Sequence, residues 1–306
     1  MFVNPADKRI GVVGLGIMGS AISKHLLRRG YPVSGFDVDK QRLDEFASAG
    51  GDSRTCAADV AENSDIVIAS LPSAAALRVI TDELKEAKAP GLVLVETSTL
   101  DAADKIVARD ELSDVGVVVL DCPLSGTGAQ ARDGDLVAFV SGDEQATDDV
   151  APVLETFCRE TVRLGEFGAG TTTKLIANLL VAVHTFAAAE ALTLADRAGL
   201  RLEQIISALA GSAADSRMLQ VRGPVIARRS WQEPSMRLEL FLKDLALITS
   251  FAQSVDAQLP LFTTTQEYFR QAADAGLGSY DSAAVAALLR DESGDLDAGR
   301  NLDDCN

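Results

Sequence analysis

Histidine and cysteine are scarce in this chain, and each shortage closes off a class of function. Its 306 residues include two histidines, His25 and His184, and four cysteines, Cys56, Cys122, Cys158 and Cys305. No two cysteines form a C-x-x-C pair, and two histidines cannot make up the usual ligand sets, so no metal site is expected. The cysteine spacing suggests no disulfide framework either, and the thiols read as the reduced thiols of a cytoplasmic protein. Basic residues are also short: 28 Lys and Arg against 45 Asp and Glu leave a net charge of −17. Such a surface repels polyanions, so neither nucleic acid nor an anionic membrane is expected as a partner. No uncharged apolar run approaches the roughly 18 residues needed to cross a bilayer. The longest apolar stretch, after Lys174, is interrupted by His184, Glu190, Asp196 and Arg197. Residues 1–10 are polar and lack the apolar core of a secretion signal.

What is present is ordinary in amount and ordered in pattern. A hydrophobic content of 47% with 24% charged residues suits soluble globular domains. The length suggests about two of them. In the first half, short β-branched runs at 9–13, 33–36, 65–70, 92–96 and 115–120 alternate with helical periodicity at 20–29, 40–49 and 75–84. Near-continuous apolar strands separated by helices predict a parallel sheet covered on both faces. Two later runs, 136–140 and 161–164, are expected to extend that sheet, with antiparallel edges. From Gly168 onward the pattern is helical: 171–197, closed by Gly199, then 202–210, 238–255, 261–275 and 282–290. The expected architecture is an α/β Rossmann domain (1–168), then an all-α domain (169–290) reached by a long interdomain helix. Residues 291–306 are expected to form an acidic tail.

Gly14-Leu15-Gly16-Ile17-Met18-Gly19 follows the first strand and opens the first helix. In that setting G-x-G-x-x-G is a dinucleotide fingerprint: Gly14 for the turn, Gly16 for approach of the pyrophosphate, Gly19 for helix–strand packing. The N–H groups of Ile17, Met18 and Gly19 then face the phosphates. Asp37 ends the second strand, where a carboxylate accepts from the ribose hydroxyls and repels a 2′-phosphate. With Val38, Asp39 and Lys40 following and no arginine beside the acid, NAD is expected in preference to NADP.

Two further segments carry polar groups. Asp121-Cys122-Pro123-Leu124-Ser125-Gly126-Thr127-Gly128 follows a strand, so it lies at the carboxyl edge where open α/β sheets bind ligands. Its hydroxyls and glycine N–H groups can hold a carboxylate. Further on, Lys174 and Asn178 share one face of the long helix among small and apolar neighbours. A lysine there is placed for proton transfer, since desolvation and the helix N-terminus both disfavour its charged form. His184 lies about 80° around the helix and about 15 Å along it from Lys174, which makes it a poor partner. His25 is read as structural.

In order along the chain, the glycine motif, D-x-P-x-S-G, G-x-G-x-x-x-K-x-x-x-N, the Lys243-Asp244-Leu245 segment and Leu259-Pro260-Leu261 resemble the β-hydroxyacid dehydrogenases. The resemblance spans residues 10–290. It implies reversible oxidation of a short hydroxy acid with NAD or NADP by a homodimer or homotetramer. Residue by residue, it makes Lys174 the catalytic lysine, Asn178 the substrate-orienting asparagine, and Ser125, Gly126 and Thr127 the carboxylate loop. It makes Lys243 the lysine that closes over cofactor and substrate, and it sets Leu71-Pro72 and Ser98-Thr99 beside the cofactor. Thr127 and Ala177 depart from the commoner glycine and asparagine. Residues 179–191 and Asp281-Ser282-Ala283 are similar to the sugar-acid branch, which implies an L-threonate-like substrate. The alternatives are 3-hydroxyisobutyrate, tartronate semialdehyde, or a silent NAD-binding module, for which Ser125, Lys174, Asn178 and Lys243 together would be superfluous.

Overall fold

The computed structural model describes residues 8–87 and 89–290. The segment expected as an acidic tail lies outside them. The chain divides into two compact units, the first ending at Lys174 and the second beginning at Leu175.

The first unit opens with alternating strands and helices: β1 (Ile10–Val13), α1 (Ile17–Arg28), β2 (Val33–Phe36), α2 (Lys40–Ser48), β3 (Asp52–Ser53), α3 (Ala57–Glu62) and β4 (Ile66–Ala69). Then come α4 (Ala74–Ala87), β5 (Val93–Glu96), α5 (Ala102–Ser113) and β6 (Val118–Asp121). The six strands form one parallel sheet in the order β3-β2-β1-β4-β5-β6. Every residue of β1, β4 and β5 is buried, as the apolar runs require of strands covered on both faces. The strand order reverses between β1 and β4, the switch point at which such sheets take ligands.

The expectation that 136–140 and 161–164 extend this sheet is corrected. After β7 (Leu124–Ser125) and α6 (Gly128–Asp133), β8 (Leu136–Val140) is followed by α7 (Glu144–Leu154) and β9 (Cys158–Arg163). These strands make a separate three-stranded sheet, β7-β8 antiparallel and β8-β9 parallel. An isolated antiparallel bridge, Asp121 to Ser141, joins it to β6. The break has a local cause: Pro123 has no N–H to continue the ladder, and only its carbonyl is used, by the Phe139 N–H.

Helix α8 (Ala169–Arg197) begins in the first unit and continues through the second, with α9 (Leu202–Leu209), α10 (Arg217–Arg228), α11 (Leu238–Ser254), α12 (Pro260–Ala272) and α13 (Val285–Leu289). Among the described residues α8 is the one helix long and apolar enough to cross a membrane. Its Ala182, Phe186, Ala189 and Leu192 instead lie buried in the second unit's core, with Trp231, Phe241, Leu245 and Phe269. Helix α10 was not legible in the sequence because Gly223 and Pro224 break its pattern. Gly223 is the contact point with Ile206 of α9, where an added Cβ would come within 3.2 Å of that side chain.

Candidate active site

The parallel register aligns the carboxyl ends of the central strands: Val13 pairs with Phe36 and with Ala69, Ala69 with Glu96, and Glu96 with Asp121. Gly14, Asp37, Leu71 and Ser98, all singled out as cofactor-side residues, therefore lie along one edge. Gly14 has φ +88°, and a Cβ there would sit 2.2 Å from the Ser70 carbonyl oxygen. A Cβ on Gly19 would sit 1.8 Å from the Gly14 oxygen. Both glycines are fixed by close backbone approach. Gly16 is different: a Cβ would meet nothing nearer than Arg42 at 3.7 Å, so the space above it is open to a ligand. Gly16 is also the N-cap of α1 and supplies no side-chain cap, which leaves the first-turn N–H groups of Ile17, Met18 and Gly19 for an incoming anion. Ile17 is exposed at this end. The residues present fit a dinucleotide.

Asp37 is buried and held in place. Its Oδ2 accepts from the Leu15 N–H at 2.7 Å and its Oδ1 from the Asp39 N–H at 2.9 Å. The reading that no arginine neighbours this acid is corrected: Arg42, in the first turn of α2, brings Nη1 to 3.4 Å from Asp37 Oδ2 and also pairs with Asp39. Leu71 donates its N–H to Ser98 Oγ at 2.8 Å, tying together the two loops after β4 and β5. Pro72 is exposed and Thr99 half-buried beside them.

In the loop expected to hold a carboxylate, Ser125 of β7 pairs with Val137 of β8 and is half-buried, while Gly126 is exposed at φ +141°. Thr127 is engaged elsewhere. Its hydroxyl accepts from the Gln130 N–H and its own N–H donates to Gln130 Oε1, a capping box that starts α6. That gives the threonine a local structural reason.

Lys174 is half-buried in the second turn of α8. The start of this helix is capped from a distance. Asp121 Oδ2 accepts from the Thr171 N–H at 2.7 Å, Asp121 Oδ1 from the Thr171 hydroxyl at 2.7 Å, and Ser141 Oγ from the Gly170 N–H at 2.9 Å. Asp121 is thus both the first residue of the Ser125 loop and the cap of the lysine helix. In the second unit, Asn178 is buried and its Nδ2 donates to Asp244 Oδ2 at 3.0 Å. Half-exposed Lys243 lies 3.7 Å from the same carboxylate.

Sequence reasoning gave no role to Glu96, Lys105, Asp121, Ser141, Thr171, Asp244 or Arg42. A polar residue at a strand end was the available signal for Glu96 and Asp121; nothing local marks Lys105. His25 is structural as expected: its Nε2 lies 3.0 Å from the Ala131 carbonyl and 3.1 Å from that of Arg132, which pins α1 to α6. His184 is exposed. Asp281 is buried against Arg222, at 2.8 and 2.9 Å, and accepts from the backbone of Ser235, Met236 and Ala283. In this fold it acts as an internal clamp. Among the described residues no three His, Cys, Asp or Glu side chains come together as a metal site.

Comparison with known proteins agrees with this layout. Residues 9–165 match the NAD binding domain of 6-phosphogluconate dehydrogenase, and 168–289 match the NAD-binding domain of NADP-dependent 3-hydroxyisobutyrate dehydrogenase. The chain is 32% identical to an L-threonate dehydrogenase of Pectobacterium atrosepticum, covering 93% of this chain and 95% of that one. It is 30% identical to 2-hydroxy-3-oxopropionate reductase of Escherichia coli, over 92% and 97%. The crystal structure of a 3-hydroxyisobutyrate dehydrogenase from Salmonella typhimurium superposes with TM-score 0.82 at 31% identity, over 92% of this chain and 100% of that one. A Rossmann unit with a dinucleotide turn, followed by a helical unit and matched along nearly its whole length, places this chain in the β-hydroxyacid dehydrogenase family of NAD(P)-binding oxidoreductases.

Proposed function

We propose that the protein oxidises a four-carbon sugar acid, L-threonate or a close relative, with NAD as the preferred cofactor and Lys174 as the proton-transfer group. The observation that carries the catalytic part is the start of α8. Lys174 and Asn178 stand one turn apart on one helix, and that helix is held at its first turn by Asp121, which opens the Ser125 loop. The substrate class rests on several L-threonate dehydrogenases at 32–33% identity.

Bound NAD(P) supplies the hydride acceptor. The chain's own residues do the rest. Asp37 accepts from the ribose hydroxyls, and the α1 N-terminus holds the pyrophosphate. The Ser125 hydroxyl and the Gly126 backbone hold the substrate carboxylate, with Thr127 occupied in its capping box. Asn178, oriented by Asp244, fixes a substrate hydroxyl. Neutral Lys174 accepts the carbinol proton during oxidation and returns it during reduction. Lys243 closes over cofactor and substrate. Asp37 argues for NAD through repulsion of a 2′-phosphate, and Arg42 is the cation that works against that preference.

We further assign residues 1–168 to cofactor binding and 169–290 to substrate binding and assembly, in a homodimer or homotetramer of the cytoplasm. Exposed Ile176, Leu180 and Leu194 on α8 support assembly. The deciding experiment is NAD and NADP reduction against a panel containing L-threonate, glycerate, 3-hydroxyisobutyrate and lactate. The highest kcat/KM is expected with L-threonate and NAD. A tenfold preference for 3-hydroxyisobutyrate overturns the substrate assignment.

A further inference from the structure

Glu96 and Asp121 are direct register partners on neighbouring parallel strands, and their carboxylates are fully buried. Like charges placed so, away from water, repel strongly unless a counter-charge is supplied. Lys105 supplies it. This lysine comes from α5, in the crossover between those two strands, and is 1% exposed. Its Nζ lies 2.6 Å from Glu96 Oε2 and 2.9 Å from Asp121 Oδ1.

The two acids lead in opposite directions. Glu96 Oε1 accepts from the Ser98 N–H at 3.0 Å, and Ser98 Oγ accepts from the Leu71 N–H. These are the loops on the cofactor side. Asp121 holds the N–H and hydroxyl of Thr171, one turn before Lys174. Ser141 donates to Asp121 Oδ2 at 3.2 Å and accepts from Gly170. A continuous buried chain of polar contacts therefore runs from the cofactor loops to the first turn of the lysine-bearing helix, and Lys105 is its central link.

We propose that Lys105 is a positioning residue whose ammonium locks the Ser98 loop and the first turn of α8 into one arrangement, and so sets the place of Lys174 relative to the cofactor edge. The kinetic part of this proposal rests on the reading of Lys174 as the proton acceptor; the binding and melting parts do not. The groups facing the ammonium are Glu96 on β5, Asp121 on β6 and, around the latter, the hydroxyls of Ser141 and Thr171. The neighbouring Cys122 thiol stays protonated, because burial, then Cys158 and Asp121, push its pKa well up. Burial pulls the pKa of Lys105 down, but Glu96 and Asp121 outweigh it and the net direction is up. The sign follows. With its pKa raised above the unfolded value of about 10.4, the ammonium contributes in full below that pH and is lost only as pH rises past the folded value. The parent enzyme thus shows no change from this group between pH 6 and 9.

Lys105→Met keeps the length of the side chain and removes the charge. The two carboxylates then compete for a proton, which replaces the ammonium at pH 6 and is lost at higher pH. The expected result in the full-length variant is a kcat at least tenfold below the parent at pH 8.5, with a much smaller deficit at pH 6. Its Tm falls across pH 6–9 while the parent's stays level, and its NADH affinity, read by fluorescence, weakens several-fold. Adding Glu96→Gln to Lys105→Met removes the repulsion and restores most of the loss at pH 8.5. Thr171→Val, which changes no charge, lowers kcat several-fold with NADH affinity kept. A Lys105→Met deficit that is the same at every pH, or a double variant no better than the single one, overturns the proposal. If Lys105→Met does not fold, Thr171→Val with unchanged kcat overturns it instead. Failure of the Lys174 reading shows separately, as turnover retained in Lys174→Ala.

Discussion

Replacing Lys174 with alanine tests the proposed chemistry at its centre. The substitution is mild for the fold. Alanine favours helix at least as well as lysine, and the contacts that hold the start of α8 (Asp121 to Thr171, Ser141 to Gly170) do not involve residue 174. A stability change within about 1 kcal/mol is expected, which for a chain of this size moves Tm by about 2–4 °C. The kinetic effect should be far larger. Removing a general base costs about 10²–10⁴ in rate, or about 3–5 kcal/mol on the barrier. The other polar groups assigned to the site do not take its place: Ser125 and Asn178 are not bases near neutral pH, Asn178 already donates to Asp244, and Lys243 is assigned to closing over cofactor and substrate and not to the carbinol proton. The loss should fall on kcat and kcat/KM together, because proton transfer is felt in the transition state and not in binding. Lys174→Arg should not rescue it, since a guanidinium does not give up its proton usefully. The assay is steady-state NADH formation, with NADH binding followed by fluorescence as the control for an intact cofactor site. Kcat within about threefold of the parent, with normal NADH binding, would remove Lys174 from the mechanism.

Three further outcomes follow from the geometry. Arg42→Ala should lower kcat/KM for NADP by about 10- to 100-fold, the scale of one charge-assisted contact of about 1.5–3 kcal/mol, while NAD changes less than threefold; equal losses with both cofactors would mean that Arg42 serves only to hold Asp37. Asp281→Ala strands the buried Arg222 guanidinium and should cost about 3–5 kcal/mol of the helical unit's stability, seen as a large fall in its melting temperature, with the ratio of kcat/KM for L-threonate over 3-hydroxyisobutyrate unchanged. A shift in that ratio at constant Tm would make Asp281 a substrate contact after all. Sedimentation at micromolar concentration should show a dimer or tetramer, and a species that stays monomeric would contradict the assembly expected from the apolar face of α8.

What could be read from the sequence was whatever depends on near neighbours along the chain. Apolar runs in register with β1, β4 and β5 gave the parallel sheet, because strands covered on both faces must be apolar at every position. The glycine turn was legible because Gly14 and Gly19 are forced by backbone approach over five residues. The span of α8 was legible to within two residues, and so was the shared face of Lys174 and Asn178, since helical spacing alone decides it. Even the family was accessible, through short motifs in a fixed order.

The tertiary structure decided the rest, where the partner lies across a turn between two elements or far away in the chain. Arg42 reaches Asp37 because one turn of α2 folds back over the end of β2, which adjacency in sequence does not reveal. Pro123 interrupts the ladder that the apolar pattern of 136–140 was expected to continue, so β8 belongs to another sheet. Helix α10 carries Gly223 where its close contact with Ile206 of α9 leaves no comfortable room for a Cβ. Lys105, set in an unremarkable amphipathic helix, is buried between two acids 9 and 16 residues away. Periodicity can tell which face of α5 turns inward. It cannot tell that two carboxylates already wait there, because that charge balance exists only once parallel register has set Glu96 beside Asp121.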